Sequence, residues 1–220
     1  MAGHHVLSDR ILFIDAEAIV LDKPAGLPVD APRRGGESIS ARVDELKCGF
    51  KREPTPMHRL DTDTSGCLLF ARTARARAAF QHAFESRAVE KYYLAVVATE
   101  IAQEEGLIEM ALAKTSSARA GWKMIRDDHG LQARTRWKRL RVRDGATLVE
   151  FCPLTGRTHQ IRAHAREAFG RGIVGDRVYG VPGGPMLLHA SRLIVPRERK
   201  PTIDVTAPLP EQFADWCDAA

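Results

Sequence analysis

Short apolar runs, bounded by glycine, proline and other turn-forming residues, recur along this chain of 220 residues. They are too short for amphipathic helices and have the length of buried strands. A chain built mainly from such runs must join them into a sheet that covers a common core. The predicted strands are residues 19–21, 67–71, 90–97, 133–140, 147–151 and 187–195.

A few helices are predicted between these strands. Residues 38–46 can form a short helix, and a longer one is predicted over residues 73–86, capped at its start by Thr73. Phe80 and Phe84 lie four positions apart on one face of the longer helix. The pattern predicts an α+β fold with a central mixed, mostly antiparallel sheet and flanking helices, in a single domain over the whole chain.

Composition narrows the class of protein. Apolar residues make up 44% of the chain, which is enough for a sizeable core. Residues 1–9 are not followed by an apolar run long enough for a signal peptide or a membrane span, so we expect a soluble, cytoplasmic protein, by default a monomer. The cysteines lack the paired spacing of zinc sites and are predicted to be free, mostly buried thiols: Cys48, Cys67, Cys152 and Cys217.

Charge is unevenly distributed along the sequence. The net charge is +5, and residues 114–143 contain ten Lys or Arg against only Asp127 and Asp128. The last residues, from 203 onward, contain four acidic residues and no Lys or Arg. A basic block of this kind favours a polyanionic partner, most commonly nucleic acid, although a solvated basic surface has the same composition.

The stretch MHRLDTDTSG, residues 57–66, contains a candidate catalytic carboxylate. The turn formers after Asp61 place it at the mouth of a turn that leads into a buried strand. An ionised, partly dehydrated carboxylate needs a guanidinium nearby, from Arg59 or from a residue distant in sequence. Taken alone, Asp61 fits a turn-capping role better. Asp63 lies between two threonines and indicates an Asx turn rather than a second catalytic carboxylate.

The stretch LTGRTHQIRAH, residues 154–164, contains the start of another helix. This helix is predicted over residues 159–169, with Thr158 as its cap and Gly170 as its stop. A basic stripe at a helix N-terminus favours an anion, either a phosphate or a carboxylate. The stripe consists of His159, Arg162 and Arg166. The spacing of His159 and His164 is wrong for a metal-binding pair.

Two further stretches contain candidate residues. In EKYYLAVV, residues 90–97, strand alternation puts Lys91 and Tyr93 on one face, where the tyrosine can stack on a base, handle a proton or pack in the core. In GIVGDRVYG, residues 172–180, the glycines indicate a tight turn with a structural role.

The motifs DKPAGLPV, HRLDTDTSG, KYYLAVV, LTGRTHQIRAH, GIVGDRVYG and LLHASRL, in this order, closely resemble those of the RluA-type RNA pseudouridine synthases. The resemblance spans roughly residues 10–210 and is weak only between about 100 and 145. It implies the pseudouridine synthase fold, with a basic active-site cleft. It also implies isomerisation of specific uridines in RNA after base flipping, without a metal, nucleotide or redox cofactor.

The resemblance also assigns roles to residues by position. Asp61 matches the catalytic aspartate, which starts glycosidic cleavage by attacking the sugar or by taking a sugar proton. Arg162 matches the residue that pairs with this aspartate, so it replaces Arg59 as the expected counter-charge. Tyr93 matches the tyrosine that stacks on the flipped uracil and acts as a base at carbon 5. Arg59 matches a position that enters the RNA helix when the target nucleotide leaves it.

The remaining implied contacts are with substrate. Ile161 matches the apolar residue under the base, and the basic stretch 114–143 is expected to bind phosphates. The full set of predicted substrate-binding residues is His58, Arg59, Lys91, Arg157, His159 and Ile161.

The expected partner is large-subunit ribosomal RNA, transfer RNA or both, with no membrane and no nucleotide cofactor. Many members of the family begin with a small extra RNA-binding domain, whereas this chain has only about ten residues before its first core strand. We therefore expect the catalytic domain alone. Two alternatives remain open: an RNA-binding protein that keeps the fold without chemistry, and a nucleoside or glycoside hydrolase.

Overall fold

The computed structural model describes residues 6–32, 35–117 and 121–216. The chain divides into two compact units. Unit 1 is formed by Met1–Val89 and Ala190–Pro208, and unit 2 by Glu90–His189 and Leu209–Ala220. Within the described residues, no helix is both long enough and apolar enough to cross a bilayer.

Eleven strands, two α-helices and three short 3-10 helices are found in the described ranges. The strands are β1 (Ile11–Ile14), β2 (Ala18–Lys23), β3 (Thr55–Pro56), β4 (Ser65–Ala71), β5 (Glu90–Val97), β6 (Glu105–Ser117), β7 (Gly121–Arg126), β8 (Leu131–Arg143), β9 (Ala146–Pro153), β10 (Leu188–Val195) and β11 (Ile203–Thr206). The α-helices are α1 (Ala74–Glu85) and α2 (Gln160–Phe169). The 3-10 helices are Leu7–Arg10, Ser40–Leu46 and Glu211–Trp216.

Unit 1 is an antiparallel sheet covered on one face by α1. Strand β2 lies between β1 and β4, and β10 pairs with β11. Alternation in β2 and β4 directs Val20 and Leu69 into the core, where they pack with Phe80 of the helix. The predicted cap of this helix is confirmed, because Thr73 Oγ1 accepts a hydrogen bond from the Ala76 N–H at 3.1 Å.

Unit 2 is a second antiparallel group of strands, in the order β5-β9-β8-β6-β7. Its main core packs Ile161 and Ala165 of α2 against Phe151 of β9. The mostly antiparallel sheet and the α+β class are therefore confirmed. Strands β6 and β7 were not predicted, because their apolar alternation is too weak to separate them from loop sequence.

The start of α2 differs from the prediction. The helix begins at Gln160, after His159, whose φ of 51° is left-handed and whose side chain makes no cap. The predicted Thr158 cap is therefore wrong. The side chain of Gln160 closes the turn instead: its Oε1 accepts hydrogen bonds from the Thr155 hydroxyl at 2.7 Å and the Arg157 N–H at 2.9 Å. The predicted stop at Gly170 is confirmed, with φ at 70°.

The basic block seen in the sequence is partly neutralised by neighbouring strands. Arg134 of β8 forms an ion pair with Glu109 of β6 at 2.5 Å. Lys138 lies in register between Glu105 of β6 and Glu150 of β9. Opposite charges at such cross-strand positions attract each other, so part of this block serves the sheet rather than an external partner. Arg119, in the same block, lies outside the described residues.

Two of the cysteines are buried free thiols, as predicted. Cys67 and Cys152 are buried, Cys48 is a free thiol at the surface, and Cys217 lies outside the described residues. Burial raises the pKa of Cys67 to about 12, so this thiol stays protonated at neutral pH.

Gly66 belongs to β4 and not only to the turn before it. Its φ is +104°, and a Cβ built there would lie 2.2 Å from the carbonyl oxygen of Ala190. Both the backbone conformation and the close approach of β10 therefore require glycine.

We predict that Gly66→Ala lowers the free energy of unfolding by about 2–4 kcal/mol, because a side chain there must displace a backbone rather than a flexible neighbour. Urea unfolding followed by circular dichroism measures the change. Gly156→Ala is the control, since a Cβ there has no atom within 4 Å, and it should stay within about 0.5 kcal/mol of the original chain. Equal unfolding midpoints for the two variants would contradict the prediction and show that β10 can move away from position 66 to make room for a methyl group.

Candidate functional site

Asp61 lies half-buried in the loop that precedes β4. A tight turn follows it, because the Thr64 N–H donates to the Asp61 carbonyl at 3.1 Å. The next carbonyl, that of Thr62, accepts the N–H of Gly26 at 2.9 Å. The loop that holds Asp61 is therefore joined to the loop after β2, and both belong to unit 1.

Lys23, the last residue of β2, reinforces this junction from inside. Its side chain has no exposed surface. Its Nζ donates to the carbonyls of Leu27 at 2.7 Å, Pro24 at 2.8 Å and Thr62 at 3.0 Å. Three acceptors match the three N–H groups of an ammonium, whereas a neutral amine offers only two. The side chain thus ties the backbone next to Asp61 to the core of unit 1.

The charge state of Lys23 depends on opposing influences. Burial lowers the pKa of this amine to about 7, against an ordinary value of 10.5. The nearby carboxylates of Asp63 and Asp61 act in the opposite direction, since they favour the charged form. When its amine is protonated, Lys23 therefore provides a positive charge near Asp63 and Asp61 within unit 1.

The other predicted residues of this loop have separate positions. His58 Nε2 accepts the backbone N–H of Leu69 at 3.1 Å, and its ring lies 5.3 Å from that of Phe84. His58 is therefore anchored to β4 and α1. The Arg59 side chain is 70% exposed and forms an ion pair with Asp30 at 3.4 Å. At that exposure the pair is weak, so Arg59 can be released to another anion at little cost.

Unit 2 contains Tyr93 and Ile161, the aromatic and apolar residues that are predicted to contact the flipped uracil. Tyr93 of β5 is half-buried opposite Phe151, and it packs against the same apolar cluster that contains Ile161. The sequence predicted these two side chains as partners around one base, and the fold brings both to one cluster. Lys91 is half-buried on the same strand, and burial lowers the pKa of its amine.

Arg162 has a partner that the sequence did not reveal. Its Nε and Nη2 donate to the two carboxylate oxygens of Asp176 at 2.7 and 2.8 Å. The arginine is 7% exposed and the aspartate fully buried. Burial acts to raise the pKa of Asp176, but the hydrogen bonds from Arg162 and from the N–H groups of Val178 and Tyr179 outweigh it and lower this pKa.

This pair bears on two motifs. GIVGDRVYG is predicted to be structural, and the contact is of that kind, because its aspartate fixes the plane of the Arg162 guanidinium in a bidentate arrangement. The predicted basic stripe on α2 is not one exposed surface, because Arg162 is buried and Arg166 donates to the carbonyl of Gly170 at 2.6 Å. Whether Arg162 also pairs with Asp61 remains a prediction.

His159 and Arg157 are also held in place within unit 2. His159 Nδ1 lies 3.0 Å from the hydroxyl of Tyr179, whose ring also lies beneath the Arg162 guanidinium at 5.2 Å. Arg157 Nε donates to the Gln132 carbonyl at 3.1 Å. In the described part of the chain, no three His, Cys, Asp or Glu side chains group in a way that could hold a metal ion.

Sequence reasoning missed Lys23 and Asp176 because neither residue's partners lie nearby in the chain. A lysine directly before a proline-rich loop, at the end of an apolar strand, is the one signal for Lys23. An aspartate between two turn glycines is the one signal for Asp176, and Asx turns have the same composition.

Comparison with known proteins gives a consistent set of matches. A family model described as RNA pseudouridylate synthase matches residues 17–167. An uncharacterized RNA pseudouridine synthase of Zymomonas mobilis is 45% identical over 96% of this chain and 98% of its own length. The ribosomal large subunit pseudouridine synthase C of Rickettsia bellii is 31% identical over 94% of this chain and 71% of its own.

A solved structure shares the fold. The human RNA pseudouridylate synthase domain containing 4 superposes with a TM-score of 0.80, covering 94% of this chain and 91% of its own. Because the two sequences are only 24% identical, this match supports the fold alone.

The pH dependence of stability tests the state of Lys23. Its pKa of about 7 in the folded chain is below its ordinary value, so between pH 7 and 10.5 the unfolded chain binds more protons than the folded one. The stability contribution of this group therefore rises with pH in that window. We predict that the difference in unfolding free energy between the original chain and Lys23→Met grows by about 2 kcal/mol from pH 7 to pH 9.

Chemical denaturation of both proteins across this pH range measures the two unfolding free energies. Groups that titrate equally in both proteins cancel when one free energy is subtracted from the other. A difference that stays constant to pH 9 would mean that the three carbonyls hold the ammonium form well above neutral pH.

Proposed function

The chain belongs to the RNA pseudouridylate synthase family and is an isomerase acting on RNA, and from this premise we propose its substrate and its catalytic residues. The substrate is a uridine in large-subunit ribosomal RNA, in transfer RNA or in both. Asp61, Tyr93 and Arg162 carry the chemistry. The name of the Rickettsia relative supports ribosomal RNA, and the family resemblance supports transfer RNA as the second candidate.

The reaction breaks the bond between nitrogen 1 of uracil and the sugar, turns the base and joins carbon 5 to the same sugar carbon. In the final step carbon 5 loses its proton to a base, and nitrogen 1, released from the sugar, gains a proton. Atoms therefore balance without a co-reactant, and the reaction needs a nucleophile or base at the sugar and a base at carbon 5. We assign the first role to Asp61 and the second to Tyr93.

The observation that carries the Asp61 assignment is its fixed loop beside a buried cation. Lys23 donates to the Thr62 carbonyl at 3.0 Å, and its amine interacts electrostatically with the nearby carboxylates of Asp63 and Asp61. A carboxylate on a locally rigid loop suits attack at a sugar carbon or removal of a sugar proton. An ordinary turn-capping aspartate needs no buried lysine beneath it.

Base flipping precedes the chemistry. Extrusion of a uridine costs a few kcal/mol, least where its pairing is already weak. In our proposal Arg59 fills the vacated position in the RNA, and its exposed, weakly paired guanidinium supports that role. Tyr93 stacks on the uracil, which offsets about 1–3 kcal/mol of the flipping cost, and Ile161 lies under the base.

The supporting residues have smaller roles. His58, Lys91, Arg157 and His159 shape the site or contact phosphate, and the backbone contacts of Arg157 and the ring contacts of His159 support positioning roles. The cytoplasm as location and the monomer as assembly remain predictions.

Tritium release from RNA labelled at carbon 5 of its uridines tests the reaction. We expect release from unmodified large-subunit ribosomal RNA, transfer RNA or both, and a loss of more than about 10³-fold in Asp61→Asn. Asp63→Asn is the matched control, because it removes a carboxylate two residues away and should keep activity. Tight RNA binding without release would support a silent binding protein, and free uracil would indicate a hydrolase.

A paired substitution tests Arg162 as the counter-charge of Asp61. Replacing Arg162 alone would leave Asp176 buried and uncompensated, at a cost of about 3–5 kcal/mol. The double variant Arg162→Gln/Asp176→Asn keeps hydrogen-bonding groups and removes both charges. We expect it to fold and to lose most turnover, because the proposed counter-charge of Asp61 is removed while the buried site keeps its hydrogen-bonding groups.

Arg59→Gln is the comparison. It should weaken RNA binding and leave kcat within about twofold. A large loss of kcat in Arg59→Gln, with none in the double variant, would make Arg59 the counter-charge instead.

A further inference from the structure

Trp122 is a surface aromatic ring that the fold holds in place. It lies in β7 with 41% of its surface exposed, whereas Trp137 is 8% exposed. The ring of His159 stacks on Trp122 with centroids 4.5 Å apart and planes inclined by 20°. A tryptophan at the surface exposes a large apolar area at a free-energy cost, so a supported ring of this kind indicates a binding surface.

The support beneath Trp122 is itself anchored. His159 is bound through Nδ1 to the Tyr179 hydroxyl at 3.0 Å, and that hydroxyl accepts the Met124 N–H at 2.7 Å. Tyr179 is 7% exposed. The indole therefore lies on a chain of contacts that reaches the buried residues of unit 2, and little side-chain entropy remains to be lost when a ligand stacks on it.

The surroundings of the ring are cationic. The Nζ of Lys114, on the neighbouring strand β6, lies over the Trp122 ring in a cation–π contact, 4.9 Å from the ring centroid. Lysine has a flexible stem, so this ammonium can leave the ring for a phosphate when a base stacks in its place. The sequence from residue 110 to residue 126 contains no Asp or Glu. Unlike Arg134 and Lys138 of β8, Lys114 does not lie opposite a carboxylate, because its register partner on β7 is Met124. An aromatic plane with an adjacent ammonium is the pair of groups that binds a base and its phosphate.

We propose that Trp122, supported by His159 and flanked by Lys114, is a stacking site for an unpaired base of the substrate RNA. This base is a neighbour of the target uridine in sequence or in the folded RNA, since Tyr93 is assigned to the target itself. The inference rests on the proposed RNA substrate and extends it, because it makes a single-stranded or looped nucleotide part of what the enzyme recognises.

Binding and turnover in Trp122 variants test the site. Trp122→Leu should raise the Kd for the substrate RNA and the KM about 10- to 100-fold and leave kcat within about twofold, because stacking of one base is lost. Trp122→Phe should restore most of the affinity. Leu107→Ala, at a position 43% exposed in the same unit and outside the basic stretch 114–143, is the control and should bind like the original chain.

Tryptophan fluorescence gives a readout that does not require turnover. Single-stranded oligouridylate should quench the emission of the original chain, and this quenching should be absent in Trp122→Phe. An unchanged Kd for the substrate RNA in Trp122→Leu would overturn the inference. If the melting temperature and kcat also fell, the ring would have a role in stability rather than in RNA binding. Quenching through Trp122 without tritium release from any RNA would keep this site and reject the proposed substrate and catalytic roles.

Discussion

The buried ammonium of Lys23 is the contact on which the candidate site in unit 1 depends. A charge without exposed surface is costly unless every N–H finds an acceptor, and here the carbonyls of Pro24, Leu27 and Thr62 provide them. Lys23 thereby joins the loop after β2 and the loop before β4 to the end of β2. Asp61 is the neighbour of Thr62, whose carbonyl Lys23 holds. When protonated, the same amine also attracts the carboxylates of Asp63 and Asp61. The closure of the two loops and the charge environment of Asp61 therefore depend on one side chain.

Unit 2 also contains a fully buried charged side chain whose hydrogen-bonding groups are satisfied, but here the buried charge is negative. Asp176 is buried completely and is compensated by the guanidinium of Arg162 and by two backbone N–H groups. A bidentate pair fixes the plane of the arginine as well as its position. Tyr179 then links this pair to His159, and His159 to Trp122, so that buried electrostatics and surface recognition share one network. Such a network keeps its members in one arrangement before the substrate arrives, which lowers the entropy lost on binding.

The local sequence predicted those helices and strands whose bounds are set by interactions between residues close in the chain. Strand β5 was predicted over its observed range, α1 begins at its predicted Thr73 cap, and Gly170 ends α2 as expected. The Thr158 cap was wrong because the side chain of Gln160 supplies the closing contacts from within the helix, with partners on a preceding turn and on β8. Strands β6 and β7 were missed because long-range pairing rather than alternation of apolar residues determines them.

The sequence by itself determined the order of the motifs. Through their resemblance to the RluA-type synthases, it also indicated the family and made Asp61, Tyr93 and Arg162 the candidate residues. Tertiary structure alone decided which groups compensate which charges. It showed that Lys23 donates to the Thr62 carbonyl in the Asp61 loop, that Asp176 holds Arg162, and that Arg134 and Lys138 of β8 lie opposite carboxylates on adjacent strands. The reason is the range of the forces involved. Turn and strand preferences act between near neighbours in the chain, whereas charge compensation acts between side chains that only folding brings together.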